Sequence, residues 1–227
     1  LEICDAGDVN VTDDASETIE RIRLVIHEIT SDGKIPVMLG GEHTVSLGAV
    51  RAVTGIDVAS FDAHMDLRNE YNGDPLSHAS VMRRISEHVG PDRIVQVGTR
   101  AVCKEELEFS RANRVLNIPA MDLHGNAVEN SIHVLRKVLD GRRDLYVTVD
   151  MDVLDPAYAP AVGNPEADGL CPNILLSLLQ EVCTRNVIAI DLTEVTPHYD
   201  TGVTAVQAAK ILFESLCYIE ARRRSVL

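Results

Sequence analysis

A run rich in apolar residues, Ile56 to Phe61, hands over at once to Asp62, His64 and Asp66, spaced i, i+2 and i+4 in the phrase SFDAHMD. Extended backbone puts alternate side chains on one face, so a strand continuing past Phe61 aims all three groups into one pocket. The pattern recurs where Leu145 to Val149 leads into Asp150, with Asp152 two residues on in TVDMDVLDP. A third stretch, Lys34 to Leu39, runs through Gly40 and Gly41 to His43 in GGEH. Four aspartates and two histidines therefore stand at the carboxyl ends of strand-like runs, an inventory sufficient for two divalent ions.

Around these runs the chain alternates between two periods. A helix is predicted from about Ala15 to Thr30 behind a cap at Asp13 or Asp14, with Ile19, Ile22, Val25, Ile26 and Ile29 at helical spacing. IPVML reads as a buried strand, Thr44 to Val53 as a short helix, and Ser77 as the cap of a helix to about Val89. Arg93 to Val97 reads as a strand, Lys104 to Ala112 as a helix, Val115 to Ile118 as a strand, and 127–139 as a helix starting at about Ala127. Met151 to Cys171, with Pro156, Pro160 and Pro165, is a long irregular stretch of the kind that more often carries function than fills space. A helix from Pro172 to about Thr184, a strand from Asn186 to Leu192 ending in Thr193-Glu194, and a helix from about Thr204 to Arg223 complete the series. This alternation predicts an α/β fold, a doubly wound parallel sheet with helices on both faces in three layers, whose ligands bind beyond the carboxyl ends of the strands. No repeat or linker interrupts the 227 residues, so one domain is expected over 1–227.

Charge narrows the partners. Aspartate and glutamate number 35 against 21 lysines and arginines, a net charge of -14, which disfavours nucleic acid and anionic membranes and suits a cationic ligand. No apolar run approaches the roughly 20 residues that cross a bilayer, and the acidic start LEICDAGDVNVTDD is unlike a signal sequence. Cys4, Cys103, Cys171, Cys183 and Cys217 are odd in number, scattered and free of any CxxC pair, as expected of reduced thiols in a cytoplasmic protein.

A donor set of carboxylates with two imidazoles suits a hard-to-borderline ion such as Mn²⁺ better than the sulfur-rich or closed tetrahedral sites of structural zinc. Two ions sharing a water lower its pKa and make hydroxide available at neutral pH. Four ionised aspartates balance two divalent cations, and such a centre tolerates a cationic electrophile better than an anionic one. Glu194 adds a carboxylate suited to a planar cation, and a guanidinium group fits through its fixed fork of N–H donors.

The phrases GGEHTVSLG, SFDAHMD, SHAS, TVDMDVLDPAYAP and DLTEVTPHYD, in this order, resemble the ureohydrolases, the arginase and agmatinase family, from about Ile35 to the carboxyl end. The resemblance implies two Mn²⁺ held by His43, Asp62, His64, Asp66, Asp150 and Asp152. It also implies a proton-shuttling His78, a guanidinium-binding Glu194, and an Asp155 that fixes a loop rather than a metal. DAHMDLRNEYNG and SHASVMRR are most similar to archaeal-type agmatinases, which implies hydrolysis of agmatine to putrescine and urea in polyamine biosynthesis, and a homo-oligomer, trimer or hexamer. Agmatine is arginine without its carboxylate, and Glu70 is expected near the site to suit it. The loop APAVGNPEADGL departs from the family in lacking a Gly-Thr-Gly-Thr run and a double glycine. The chain starts at Leu1, and the resemblance implies a further strand and a serine- and arginine-containing loop upstream of it.

Two alternatives stay open and two more are excluded. Arginine or another guanidino compound is an alternative substrate within the family, and a metal-binding member without catalysis is an alternative of another class. A binuclear phosphoesterase needs a GNH motif and a zinc deacylase a His-His pair, and the sequence contains neither. His27, His88, His124 and His133 lack acids at motif spacing and read as structural or solvent-facing, and Arg222 to Arg224 as the cap of the last helix.

Overall fold

The structure, a computed structural model, describes residues 1–125, 128–141 and 144–224. Its strands are β1 (Val37–Leu39), β2 (Asp57–Phe61), β3 (Ile94–Val97), β4 (Leu116–Ile118), β5 (Asp144–Asp150) and β6 (Asn186–Thr193). They form one six-stranded sheet in the order β1-β6-β5-β2-β3-β4, every pairing parallel. The helices are α1 (Ala15–Ser31), α2 (Val45–Arg51), α3 (Val81–Val89), α4 (Lys104–Asn113), α5 (Val128–Leu139), α6 (Pro172–Cys183) and α7 (Val203–Arg223).

The period-2 alternation of the strands divides the core between two faces. On β5, Leu145, Val147 and Val149 pack with the buried residues of α5, α6 and α7, whereas Tyr146 packs with those of α1, α2 and α3. Helices thus cover both faces, which is why the central strands are apolar nearly throughout. On α1, Asp14 Oδ1 accepts the Ser16 N–H at 2.8 Å, and Ile19, Ile22 and Ile26 are buried. Its pairs Glu17–Arg21 and Glu20–Arg23 lie exposed and screened by solvent, whereas each buried isoleucine contributes about 1.5–3 kcal/mol, so packing holds this helix.

The winding fixes where a ligand sits. From β2 the chain proceeds through α3 to β3 and through α4 to β4, then returns through α5 to β5 on the other side of β2 and on to β6. Neighbouring parallel strands whose connections leave in opposite directions leave a crevice beyond their carboxyl ends. Here the crevice lies between β2 and β5, at Asp62 and Asp150.

Three expectations change. The strand of the IPVML run is short and lies at the sheet edge, and Val37 and Leu39 are exposed rather than buried. Ser77 caps a 3-10 turn, His78–Ser80, and α3 follows it. β2 ends at Phe61, so Asp62, His64 and Asp66 do not share a strand face: Asp62 Oδ1 takes the His64 N–H at 2.6 Å, folding the chain into a loop, and Asp66 is left-handed at φ 52°. Ala127, the expected start of the fifth helix, lies outside the described residues.

Candidate metal centre

The loop after β2 and the turn after β5 bring the acids together by a route other than strand alternation. Asp62 leaves β2 with its N–H on the Val97 carbonyl, and the buried Gln96 side chain donates to the Met65 carbonyl at 2.6 Å. Glu106 of α4 accepts the Leu67 N–H at 3.1 Å, which holds the chain just beyond Asp66. After β5, Asp150 Oδ1 accepts the Asp152 N–H at 2.9 Å, and Asp152 Oδ1 accepts the Ala63 N–H at 3.0 Å, tying the turn to the loop across the crevice. His43 enters from the loop between β1 and α2.

Two clusters result. His43 Nδ1 lies 3.2 Å from Asp62 Oδ2 and 3.3 Å from both Asp66 Oδ2 and Asp150 Oδ2. His64 Nδ1 lies 3.0 Å from Asp152 Oδ2 and 3.5 Å from Asp62 Oδ1. One group is His43, Asp62 and Asp150, the other Asp62, His64 and Asp152; within each, the ligand atoms lie within 4.8 Å of one another, and Asp62 belongs to both. His43 Nδ1 and Asp62 Oδ2 are buried without a hydrogen-bond partner. Two orphaned lone-pair atoms facing each other in a dry site cost free energy that a cation between them would recover. The residues present therefore fit a metal.

The electrostatics agree. Burial, reinforced by the Asp152 and Asp62 charges, holds Asp150 well above the carboxylate range, and burial with the Asp62 charge raises Asp152. Asp66 is pushed up to about 7 by burial and by the Asp62 charge. Burial opposes charge on Asp62 too, but His43 and His64 outweigh it and hold its pKa far down. Burial also works against charge on His64, yet Asp152 and Asp62 push it up to about 11, and His43 is likewise held high by Asp150, Asp62 and Asp66. Protons here occupy a site with more negative charge than it can hold unaided.

A cavity of about 500 Å³ opens over this centre, lined among others by His64, Asp66, His78, Asp150, Asp152 and Glu194. Glu194 follows β6 at φ 65°, its N–H on the Gly41 carbonyl at 2.7 Å. Its Oε1 accepts the His43 backbone N–H at 2.7 Å, leaving Oε2 toward Gly163, where a Cβ would stand 3.1 Å from that oxygen. Burial raises the Glu194 pKa, only partly offset by the His43 N–H. His78 Nδ1 lies 3.4 Å from Glu42 Oε1, and its ring meets Tyr71 edge-on at 5.7 Å. The Glu42 contact raises the His78 pKa against the opposing effect of burial.

The arginase-family model matches residues 1–217. The chain belongs to the arginase family. It is 39% identical to an uncharacterized 32.2 kDa protein of Methanothermus fervidus, over 97% of this chain and 76% of that protein. It is 36% identical to an agmatinase of Bacillus subtilis, over 95% of this chain and 75% of that protein. Among solved structures, the agmatine ureohydrolase of Thermoplasma volcanium superposes with a TM-score of 0.91 at 37% identity, over 99% of this chain and 76% of that one.

Several residues of this arginase-family site escape sequence reasoning. Arg100 donates to the carbonyls of Gly98, Asp152, Val153, Leu154, Glu166 and Ala167, pinning the irregular stretch after β5 beneath the cavity. Apart from Gly98, its partners are backbone atoms more than fifty residues away, which no motif records. Asp155 Oδ1 accepts from Ala157 and Oδ2 from Gly169, so it closes this loop and its pKa is lowered by those N–H groups. Gly169 packs against that turn, where a Cβ would meet Asp155 N at 2.4 Å. Asp168 beside it adopts φ 63°, a conformation aspartate tolerates. Glu70 is exposed and does not line the cavity, whereas Arg68 does. The expectation of an acid from that loop is corrected: the cation Arg68 lines the cavity, and Glu70 faces solvent. His27 and His124 face the carbonyls of Ala52 and Asp168, each at 3.3 Å.

Proposed function

We propose that this chain is a binuclear manganese hydrolase that cleaves the guanidino group of agmatine to urea and putrescine. The carrying observation is the facing pair of buried, unpartnered atoms, His43 Nδ1 and Asp62 Oδ2, 3.2 Å apart below a cavity that Glu194 also lines. His43, Asp62, Asp66 and Asp150 would hold one ion and Asp62, His64 and Asp152 the other, a carboxylate-rich set with two imidazoles that favours Mn²⁺ over structural zinc. When bound, two such ions lower the pKa of a shared water to near neutrality and so supply the nucleophile.

The chain's own groups do the rest. Glu194 Oε2 accepts guanidinium N–H groups while Oε1 stays on the His43 backbone, so the planar cation is held at a fixed angle over the centre. Water adds to the guanidino carbon, and the C–N bond to the alkyl nitrogen breaks as that nitrogen takes up a proton. His78 stands in the cavity wall with Glu42 behind it, a contact that raises its pKa and favours the protonated ring able to deliver that proton. The names of the Bacillus subtilis and Thermoplasma volcanium relatives support agmatine as the substrate, as does an acid-rich cavity that suits a cationic tail.

One observation favours a second reading, a guanidino acid. Arg68 lines the same cavity, stacks over Tyr71 at 5.2 Å and makes no ion pair among the described residues. Homo-oligomer formation belongs to the proposal as well, supported by exposed Val203, Val206 and Phe213 on α7. Among the described residues no helix is long and apolar enough to cross a membrane. Urea release from agmatine, arginine and a guanidino acid, measured after chelation and after Mn²⁺ is restored, tests the assignment. Agmatine turnover that depends on Mn²⁺ is expected. Preference for the guanidino acid transfers the substrate assignment to the second reading, and absence of turnover on all three leaves a binding protein.

A further inference from the structure

Behind His43, on the side away from the cavity, lies a group of wholly buried polar side chains that the proposed chemistry does not use. His43 Nε2 is 3.0 Å from Thr148 Oγ1, and Ser46 Oγ is 3.4 Å from that same hydroxyl. Thr148 on β5 is in register with Asp191 on β6, and Asp191 Oδ2 accepts the hydroxyl proton of Tyr146. Ser46, Thr148 and Asp191 are 0% exposed and Tyr146 1%. Asp191 forms no ion pair with a lysine or arginine among the described residues, and its Oδ1 is an orphan. A buried, half-satisfied carboxylate is costly and calls for a reason.

Hydrogen-bond direction supplies one. For His43 Nδ1 to offer its lone pair among Asp62, Asp66 and Asp150, the ring proton must sit on Nε2. Nε2–H then donates to Thr148 Oγ1, and the threonine hydroxyl, whose proton rotates freely, turns that proton toward Asp191 Oδ1, the oxygen that lacks a partner. Burial pushes the Asp191 pKa up, while the His43 charge and the Ser46, Thr148 and Tyr146 hydroxyls pull it back. We propose that Asp191 and Tyr146 are positioning residues: through Thr148 they fix His43 in the tautomer and ring orientation that present Nδ1 to the metal. The chain of donors runs His43 to Thr148 to Asp191, met from the other side by Tyr146. This rests on the metal reading above and extends it to residues that touch neither metal nor substrate.

The test uses that directionality. In Asp191→Asn the amide oxygen accepts from Tyr146 and the NH₂ faces Thr148, so the threonine hydroxyl loses the carboxylate acceptor that turned its proton away from His43, and the wrong tautomer, with Thr148 donating to His43 Nε2, gains population. Mn²⁺ alone is titrated calorimetrically into chelator-stripped protein. Wild type is expected to take up Mn²⁺, with affinity weakened about 10- to 100-fold in Asp191→Asn. Adding Tyr146→Phe frees the amide to flip and present its oxygen to Thr148, so the double variant is expected to bind more tightly than Asp191→Asn alone. A merely structural role predicts the reverse, since the second change removes another buried contact. Thr148→Ser keeps the relay and Thr148→Val breaks it, which gives the same comparison if Asp191→Asn does not fold. Unchanged affinity in Asp191→Asn or Thr148→Val, or no rescue in the double variant, overturns the relay while leaving the metal centre intact. Failure of wild type to bind Mn²⁺ overturns both.

Discussion

Glu194 Oε1 accepts the backbone N–H of His43 at 2.7 Å, a bond between the end of β6 and the loop before α2 across 151 positions of sequence. The acid proposed to hold the substrate is thereby fixed to the segment that carries a proposed metal ligand. Glu194→Gln retains the shape and can keep the His43 bond through its amide oxygen. Its NH₂ then replaces Oε2 and donates where a guanidinium also donates. A loss of at least about 10²-fold in kcat/KM for agmatine is expected, equivalent to about 3 kcal/mol, with Mn²⁺ content unchanged. Near-normal kinetics with a lowered Tm would instead make Glu194 a structural cap.

Asp152 sends both its oxygens to the loop after β2, Oδ1 to the Ala63 N–H and Oδ2 to within 3.0 Å of His64 Nδ1. In Asp152→Asn the amide oxygen keeps Ala63, and the NH₂ is turned on the position an ion shared with His64 would occupy. One Mn²⁺ per chain should therefore be lost or weakened at least about tenfold while the His43 group keeps its own. Metal analysis after dialysis reads this directly, and two tightly held ions in the variant would strike Asp152 from the ligand set.

What sequence reveals here follows from how local each interaction is. Asp62 and Asp150 were legible because each ends an apolar run, and adjacent parallel strands carry such ends to a common edge. Asp66 was legible as a residue but not as a geometry: its left-handed backbone and the Asp62–His64 turn replace the straight strand that alternation implies. Arg100, Thr148 and Glu42 left no signal, since one binds backbone carbonyls, one hides in the apolar rhythm of β5, and one sits in a loop. The exposure of Val37 and Leu39 was invisible too, because an edge strand and a central strand are both written in apolar residues.

His78 meets Glu42 on one side and the cavity on the other, and it contacts none of the six proposed ligands within ion-pairing distance among the described residues. Removing its ring should therefore spare the metals and slow only the protonation of the departing amine. His78→Ala is expected to lower kcat by about 10²- to 10⁴-fold with both Mn²⁺ retained, and added imidazole should restore part of the rate. Loss of metal in the variant, or an unchanged kcat, would end the proton-relay assignment.

The last expectation concerns stability against pH without metal. Asp66, with its pKa raised from 3.8 to about 7, binds its proton more tightly folded than unfolded, so its contribution is full below the ordinary carboxylate pKa and is lost as pH rises through about 7. Asp150 and Asp152 are shifted in the same direction. His64, raised from 6.5 to about 11, also stabilises most at low pH, and that contribution declines as pH climbs past its unfolded value toward 11. Asp62 has the opposite sign, but its contribution is already complete above the carboxylate range and is constant near neutrality. Chelated protein should therefore show a falling Tm between about pH 5.5 and about pH 8, because the acids become charged with no cation among them. Divalent ions need those ligands deprotonated, so the Tm gained on adding Mn²⁺ should widen over the same interval. Thermal melts in chelator and in Mn²⁺ at several pH values check both trends. A chelated Tm that rises toward about pH 8, or a Mn²⁺ increment that shrinks, would show that these carboxylates are not the groups through which metal and protons compete.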